Sequence, residues 1–267
     1  MIELTHFYGL SSDPFPQKVK TEKLFMLPGL DALVERIKFA VKAGAVSIIT
    51  GDVGSGKSTS LRYACDSFHP NEYKIIQIVA TSGSMLELLR QILLHFGITY
   101  RSFQPAVVMK MVRDLILEIT GRKETPVLVV DEAHLMKQDV FTQLHTLAQF
   151  NFDSEPLLPM ILCGQDKLLD KLMYPSSRPL ASRIIGRSHM KNLQRETMTA
   201  YIKHHMELAG SKKELFAPES ILAIHQGSGG LLRRANILAT GAMVAAAMEK
   251  CQVVSAEHVR LASTETI

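Results

Sequence analysis

The residues with the clearest potential for chemistry form a glycine-rich segment that directly follows an apolar run. Residues 51–58 read Gly-Asp-Val-Gly-Ser-Gly-Lys-Ser, and the apolar run before them extends from Ala45 to Thr50. A buried strand that ends in a glycine turn and continues as a helix offers backbone amides and a positive helix end to a phosphate chain. The segment therefore predicts a site for ATP with Mg²⁺; a glycine-rich turn that binds nothing is the alternative.

Individual residues of this segment have separate predicted roles. Lys57 is expected to reach the outer phosphates, and Ser58 is expected to place its hydroxyl on Mg²⁺. Gly54 and Gly56 keep side chains out of the space that the phosphates need. The predicted nucleotide-contacting residues of the segment are Gly51, Asp52, Val53, Gly54, Ser55, Gly56, Lys57, Ser58 and Thr59.

A pair of carboxylates at the end of a second apolar run is the next candidate. Four apolar residues, 127–130, lead directly into Asp131 and Glu132. Such a run predicts a central strand buried on both faces, with the carboxylates at its carboxyl end. We expect Asp131 to hold Mg²⁺ and Glu132 to orient or deprotonate the water that attacks the γ-phosphate. Glu132 as a cap of the following helix is the simpler alternative, and both roles are compatible.

Length and composition limit which classes of protein this chain can belong to. The chain has 267 residues, of which 46% are hydrophobic, and can bury a large core. Its longest apolar stretch, Ala239 to Met248, is too short to span a bilayer, and the amino terminus lacks signal-peptide features. We therefore expect a cytoplasmic protein without membrane insertion. Cys65, Cys163 and Cys251 lack metal-ligand spacing, which predicts reduced and buried thiols.

The alternation of strand and helix patterns predicts the fold class. Over residues 45–190, buried strand patterns alternate with helical ones, which indicates an α/β core with a mostly parallel sheet covered by helices on both faces. Residues 191–267 keep only helical patterns, which predicts a small all-α lid that moves when the γ-phosphate is lost. Residues 1–44 form a preceding segment that contains one amphipathic helix, from Asp31 to Lys42.

The charge distribution permits contact with nucleic acid but does not establish it. The net charge is +4, and cations concentrate between Arg178 and Lys213. A solvated helical face explains such a run as readily as a phosphate-binding surface does.

The order of the elements, with the glycine-rich segment and Asp131-Glu132-Ala133-His134, resembles the AAA+ ATPases. This resemblance implies a P-loop NTPase fold, ATP hydrolysis with Mg²⁺, and rings or spirals in which neighbouring subunits share active sites. It also implies a polar sensor of the γ-phosphate at the end of the strand between the two motif strands. Gln165 occupies that place, and Cys163 is the alternative.

Two arginines acquire roles from the same resemblance. The sequence Leu180-Ala181-Ser182-Arg183 is similar to the family's Ser-Arg box, which implies that Arg183 acts as an arginine finger in the adjacent subunit's site; Arg178 is the alternative. Residues 230–236, Gly-Leu-Leu-Arg-Arg-Ala-Asn, resemble the lid motif Gly-x-Pro-Arg-x-x-Asn, although a leucine replaces its proline. Arg233 matches the arginine that contacts the triphosphate. Arg234 is the alternative for this role, and a surface salt bridge is the alternative for either arginine.

The amino-terminal residues narrow the resemblance. Phe7-Tyr8-Gly9-Leu10 and Asp13-Pro14-Phe15 resemble the start of the ExeA-type subfamily, in which this segment closes the adenine pocket. That implies contacts from Phe15 and its surroundings to the base, whereas packing on the core is the simpler explanation of these aromatic residues. Compact members of the subfamily resemble the transposition ATPases of the MuB, TniB, IstB and TnsC kind.

Three roles follow from these resemblances. The first is an ATPase that self-assembles with ATP as a ring or helical filament on duplex DNA and recruits a transposase. The second is an ExeA-like secretion or envelope-assembly ATPase, and the third is a helicase loader or replication initiator. Under the first role we expect cations to contact DNA phosphates without reading sequence. The predicted DNA-contacting cations are Arg101, Lys110, Arg113, Arg122 and Lys123.

Overall fold

The computed structural model describes residues 3–99 and 104–265 of the chain, over which strands alternate with helices before a helical carboxyl-terminal part. The strands are β1 (Val46–Gly51), β2 (Tyr73–Val79), β3 (Thr125–Asp131), β4 (Met160–Gly164) and β5 (Ile184–Met190). The α-helices are α1 (Leu4–Tyr8), α2 (Leu30–Lys42), α3 (Lys57–Asp66), α4 (Met85–His95), α5 (Pro105–Gly121), α6 (Gln138–Leu144), α7 (Lys167–Met173), α8 (Arg178–Ala181), α9 (Arg195–Leu208), α10 (Pro218–Ser228), α11 (Leu232–Met248) and α12 (Ala256–Glu265). Arg101, one of the predicted DNA contacts, lies outside the described residues.

The chain divides into an α/β unit and a helical unit. The α/β unit consists of Pro28–Gly51 and Lys57–Met190. The helical unit consists of Met1–Leu27, Asp52–Gly56 and Lys191–Ile267, so that it includes the tip of the glycine-rich segment.

The α/β unit is built on one parallel sheet with the strand order β2-β3-β4-β1-β5. Every residue of β1 and β4 is buried, and so are the five central residues of β3. The edge strand β5 instead alternates between buried and exposed positions, as expected of a strand with one solvated face. The predicted α/β class with a parallel sheet and a helical carboxyl-terminal part is confirmed.

The core of the α/β unit lies between this sheet and the helices that pack on it. Helices α4, α5 and α6 contribute apolar side chains that are almost completely buried, among them Leu89, Ile116 and Phe141. Burying each such side chain stabilises the fold by about 1.5–3 kcal/mol. This packing fixes the strand ends at which the candidate functional residues lie.

The helical unit has its own core, to which the amino-terminal residues belong. The Tyr8 hydroxyl of α1 donates to the Met243 carbonyl oxygen of α11 over 2.8 Å, and the Ser11 amide donates to the Ala209 carbonyl oxygen over 2.8 Å. Helices α11 and α12 pack so closely that a Cβ on Gly241 would lie 2.9 Å from the Ala262 Cβ. Residues up to Leu27 are thus an integral part of this unit.

The helical pattern of residues 138–150 predicts a helix that the structure shows only in part. Helix α6 ends at Leu144, and a 3-10 turn, His145–Ala148, replaces the last part of the predicted helix. The reason is Arg113, whose guanidinium donates to the carbonyl oxygens of Thr146 (3.0 Å) and Gln149 (2.7 Å). This guanidinium also lies 4.3 Å from the centre of the Phe150 ring, so Arg113 has a structural role and is not a free DNA contact.

The expectation of three buried cysteines also needs correction. Cys65 and Cys163 are buried free thiols, but Cys251 is exposed. It lies in the turn after α11, just beyond Lys250, whose φ of 59° ends the helix. A chain leaving a helix through such a left-handed residue runs along the surface, which explains the exposure of Cys251.

Candidate active site

The glycine-rich segment has the backbone of a phosphate loop. It connects the end of β1 to the start of α3, with the Ser55 amide donating to the Asp52 carbonyl oxygen over 3.2 Å. Gly54 and Gly56 adopt φ values of 83° and 96°, in the left-handed region where a Cβ is unfavourable. The two positions therefore require glycine for conformational reasons alone.

The side chains of the segment fit a magnesium-bound triphosphate. Lys57 is only 6% exposed, and its ammonium donates to the Gly51 carbonyl oxygen over 2.9 Å. The hydroxyl of Ser55 is buried and has no hydrogen-bond partner among the described residues, so a phosphate oxygen would satisfy it. Ser58 and Thr59 are exposed, and a hydroxyl is a hard oxygen ligand of the kind that Mg²⁺ prefers.

Within the helical unit, the start of α11 lies against the tip of the phosphate loop. The Arg233 amide donates to the Gly54 carbonyl oxygen over 3.2 Å. A Cβ on Gly54 would lie 2.9 Å from the Arg233 Cβ, and one on Gly56 would lie 2.9 Å from Leu232 Cδ1. The contact with the loop is thus made by Arg233, whereas the sequence did not separate it from Arg234.

The acidic pair lies where the sequence places it, at the carboxyl end of β3. The carboxylate of Asp131 accepts the Glu132 amide over 2.8 Å. Glu132 has φ 53° and ψ 30°, a left-handed conformation that costs a residue with a Cβ about 1–2 kcal/mol. Backbone strain of this kind concentrates at functional sites. Glu132 occupies the N-cap position of the 3-10 turn Ala133–Leu135, but its side chain makes no capping hydrogen bond within the part of the chain described.

The end of β4 brings the sensor candidates next to this pair. Strand β4 lies between β3 and β1, with Leu162 in register with Val130. Cys163 is completely buried; burial, followed by the nearby Asp131 carboxylate, raises the pKa of its thiol far above the ordinary value. Gln165, one position beyond the strand, is half-buried and is the more accessible polar group of the two.

Sequence reasoning assigned no separate role to His134, which the structure places between the acidic pair and the sensor. Its Nδ1 lies 3.3 Å from Glu132 Oε2 and 3.3 Å from the amide nitrogen of Gln165. Gly164 is the residue in the sequence that could have indicated this close approach of His134. A Cβ at position 164 would lie 3.0 Å from the His134 backbone nitrogen and 3.2 Å from its Nδ1.

Arg183 lies at the end of the sheet where β1 begins. Its carbonyl oxygen accepts the Val46 amide over 2.9 Å, whereas Lys57 binds Gly51 at the other end of that strand. Five residues of extended chain separate the two ends by about 16 Å. The Arg183 guanidinium donates to Asp153 Oδ2 (2.5 Å) and to the Pro179 carbonyl oxygen (2.5 Å). Arg178, the alternative finger, is exposed on α8.

Phe15 is part of the core of the helical unit. Its ring stacks on His205 at a centroid distance of 5.4 Å and meets Phe216 edge-on at 6.5 Å. Packing on the core therefore accounts for the ring. The adenine contact of this segment stays a prediction, and it now concerns the backbone around Phe15 because the ring itself is packed in the core.

A group of three metal-ligand side chains in the helical unit is explained by helix capping. Glu249, Cys251 and His258 bring ligand atoms within 4.8 Å of one another. However, His258 Nδ1 accepts the Ser255 amide over 3.0 Å, so Nε2 carries the proton and donates to Glu249 over 3.1 Å. A protonated nitrogen cannot ligate a metal, and the arrangement instead caps the start of α12.

The fold is a P-loop fold of the AAA+ type, and the motifs of a nucleotide site lie at the ends of its strands. The glycine-rich loop follows β1, the acidic pair follows β3, and β4 separates the two motif strands. Residues 41–172 match the family described as AAA domain. None of the described helices is both long enough and apolar enough to cross a membrane.

Comparison with known proteins gives one curated relative and several solved structures of the same fold. The chain is 30% identical over 244 residues to the general secretion pathway protein A of Aeromonas hydrophila; the match covers 91% of this chain but 44% of that protein. The chain thus spans less than half of this relative's length.

Among solved structures, Cdc6p from Pyrobaculum aerophilum superposes with a TM-score of 0.77 at 14% identity, covering 97% of this chain and 72% of that one. The Drosophila ORC bound to DNA gives a TM-score of 0.74 at 14% identity, covering 98% of this chain and 65% of that one. At such identities the similarity concerns the fold.

Proposed function

We propose that the chain hydrolyses ATP at the phosphate loop and that its active site is completed by a second copy of itself. One observation carries the hydrolytic part: Lys57 binds the Gly51 carbonyl oxygen at the carboxyl end of β1, and Asp131 and Glu132 lie at the carboxyl end of β3, separated from β1 by the parallel strand β4. A cation for the phosphates and two carboxylates therefore converge on the same end of the α/β sheet. Two adjacent carboxylates facing a triphosphate are electrostatically tolerable only in a metal-linked site.

Each residue has a role in this proposal. Lys57 opposes the charge of the outer phosphates, Ser58 and Asp131 hold Mg²⁺, and Glu132 orients the attacking water. When bound, Mg²⁺ neutralises developing charge on the phosphates. Gln165 senses the γ-phosphate from the end of β4, and Arg233 contacts the phosphates from the start of α11, where its backbone already lies on Gly54.

The position of Arg183 supports an active site shared between copies. Arg183 and Lys57 lie at opposite ends of strand β1, and Asp153 holds the guanidinium at its own end. Arg183 is therefore poorly placed for the nucleotide of its own subunit and suited to the nucleotide of a neighbour. A guanidinium supplied in this way is a strong stabiliser of γ-phosphoryl transition states.

We propose that copies of the chain assemble on duplex DNA. The similarity of fold to an ORC bound to DNA and the net charge of +4 support this choice. Of the predicted contacts, Lys110 and Lys123 are exposed, and Arg122 is exposed in a pair with Glu118. A transposase client and a cytoplasmic location remain predictions from the sequence, to which the comparisons add no support.

The curated relative favours a second candidate role. Its name places that protein in the general secretion pathway, and the match includes 91% of this chain. Under this role the ATPase cycle would act on a protein partner of the secretion machinery instead of DNA. A replication-initiator role is the third candidate and is supported by fold alone.

Phosphate release and DNA binding test these proposals separately. Glu132→Gln should retain ATP and lose turnover, and Lys57→Ala should lose ATP binding; wild-type turnover by Glu132→Gln would remove the catalytic assignment. Labelled duplex DNA should then bind Glu132→Gln tightly with ATP but weakly with ADP, and the affinity should fall steeply with salt. No DNA binding in any nucleotide state would favour a protein client.

A further inference from the structure

His134 is a buried imidazole at the junction of three elements of the α/β unit. Its side chain is 8% exposed. Its carbonyl oxygen accepts the Lys171 ammonium of α7 over 2.7 Å, and the same ammonium binds the Met136 carbonyl oxygen. The 3-10 turn that follows Glu132 is thereby fixed to α7, and the His134 ring has a defined position.

Gly164 allows this ring to approach the end of β4. A Cβ at position 164 would lie 3.2 Å from Nδ1 and 3.4 Å from the His134 Cβ, which is tighter than ordinary side-chain contact. Glycine at this position is not required by a left-handed turn, because Gly164 has no positive φ. The space at Gly164 is therefore used to bring the imidazole beside the Gln165 amide.

Nδ1 of His134 faces two groups with opposite requirements. The Gln165 amide points its hydrogen at Nδ1, which must then offer a lone pair. Glu132 Oε2, at the same distance of 3.3 Å, can be bound only if Nδ1 carries a proton. One nitrogen cannot do both at once, so the two contacts exclude each other.

Burial disfavours a second proton on the ring. Burial lowers the pKa of His134; the Glu132 carboxylate opposes this shift, and the Lys57 and Lys171 ammonium groups add to it. A neutral imidazole has one proton to place on either nitrogen. The exchange between the two contacts at Nδ1 thus requires only a change of tautomer or a small movement of either neighbour.

We propose that His134 is a positioning residue that links the sensor end of β4 to Glu132. When Nδ1 binds the Gln165 amide, Glu132 is free to turn toward the attacking water; when Gln165 moves, Nδ1 takes and holds the Glu132 carboxylate. This inference rests on the proposed ATP hydrolysis and names the residue that makes turnover depend on the state of the sensor. Glu132 is 41% exposed and strained, so it depends on a neighbour for a defined orientation.

The test compares His134→Leu with His134→Asn in the full chain. Leucine fills much of the space without a polar atom, whereas the asparagine amide places a donor and an acceptor close to the position of Nδ1. We expect His134→Leu to lower kcat for ATP by about 10- to 100-fold, the loss that misplacement of a reacting group by about 1 Å produces. KM and the Kd for ATP should change little, and His134→Asn should recover most of kcat.

Two results would overturn the proposal. One is a wild-type kcat in His134→Leu, and the other is an equal loss in His134→Leu and His134→Asn when both have wild-type thermal unfolding. If the leucine variant fails to fold, Gly164→Ala provides an independent test. Its Cβ displaces the ring from Gln165, so kcat should fall while ATP binding persists; an unchanged kcat would contradict the link.

Glu132→Gln separates failure of this inference from failure of the proposed function. If Glu132→Gln is inactive while His134→Leu is fully active, only the role of His134 is wrong. If Glu132→Gln hydrolyses ATP normally, the catalytic assignment itself fails.

Discussion

The guanidinium of Arg183 is bound to the carboxylate of Asp153, 30 residues earlier in the chain, over 2.5 Å. Asp153 is the last of three successive residues with positive φ, after Asn151 and Phe152, and the Phe152 side chain is fully exposed. The hydrogen bond from Arg183 lowers the pKa of the Asp153 carboxyl group, which is therefore ionised at neutral pH. Partly exposed ion pairs contribute little stability, so in the proposed shared site a phosphate of a neighbouring copy would replace Asp153.

Removing this carboxylate should make assembly-dependent hydrolysis easier. In Asp153→Ala, Arg183 loses its competing partner, and half-maximal ATPase activity should occur at a lower protein concentration than in the wild type. The measurement is specific activity against protein concentration at saturating ATP. Thermal unfolding should be unchanged, whereas a loss of maximal activity would instead show that Asp153 positions Arg183 for catalysis.

A mixture of two inactive variants tests the shared site directly. Arg183→Ala retains Glu132, and Glu132→Gln retains Arg183, so a site of the first variant beside a copy of the second is complete. Random mixing in equal amounts completes about a quarter of the sites in a head-to-tail assembly. Phosphate release should therefore reappear in the mixture, and no recovery at any concentration would argue against sharing.

The contact between Gly54 and Arg233 predicts a loss of ATP affinity when Gly54 is substituted. Alanine at either Gly54 or Gly97 costs about 1–2 kcal/mol of stability because both have positive φ. Only at Gly54 would the new Cβ meet a neighbour, the Arg233 Cβ at 2.9 Å, whereas Gly97 has open space. Gly54→Ala should weaken ATP binding by roughly tenfold or more, equivalent to about 1.4 kcal/mol.

Gly97→Ala is the matched control for that measurement. It should lose comparable stability in urea unfolding and keep wild-type ATP affinity. Equal losses of affinity in the two variants would mean that the Arg233 contact has no part in nucleotide binding.

The helical unit should lose stability in mild acid because of His205. Burial lowers the pKa of this histidine, and its Nδ1 donates to the Pro14 carbonyl oxygen over 2.8 Å. The unfolded state, with a pKa near 6.5, takes up the proton first, so the free energy of unfolding falls as pH drops below about 6.5 and is constant above it. Hydrogen exchange of α9 amides at pH 7.5 and 5.5, corrected for intrinsic rates, measures this change.

His205→Asn should reduce the pH dependence of the free energy of unfolding, because the asparagine amide keeps a donor for the Pro14 carbonyl oxygen and does not titrate. The adjacent His204→Asn is the control; His204 is only partly buried and contacts the Lys23 carbonyl oxygen. A pH dependence that persists unchanged in His205→Asn would assign it to another group.

The sequence was most informative about sites whose residues lie close together in the chain. The phosphate loop needs glycines, a lysine and a hydroxyl within eight residues, and the acidic pair follows an uninterrupted apolar strand. Both requirements appear as short patterns. The positions of β1 and β3, to within two residues at each end, and the helices of the carboxyl-terminal part followed from the same kind of periodicity.

What the sequence did not reveal depends on contacts between distant residues. Alternating patterns alone do not place β4 between β1 and β3; that position followed from the resemblance to the AAA+ ATPases and is confirmed. The approach of His134 to Gln165 spans 31 residues, and Arg113 meets Thr146 across 33. No periodicity marks such pairs, because each is created by the packing of elements that are distant in the sequence. Gly164 is a local sign of the contact between His134 and Gln165, but the reason for a glycine there becomes clear only when the position of His134 is known.

The separation of Arg183 and Lys57 at the two ends of one strand gives a row of copies a direction. If each copy offers its arginine end to the nucleotide end of the next, every junction joins two unlike surfaces. An open row then has one fewer completed site than it has subunits, and the subunit at one end keeps its ATP without a neighbour's arginine. In such a row the subunit at one end would keep its ATP for a long time, whereas the subunits behind it would hydrolyse theirs. Subunits would then be added next to an ATP-bound subunit and lost from ADP-bound ones.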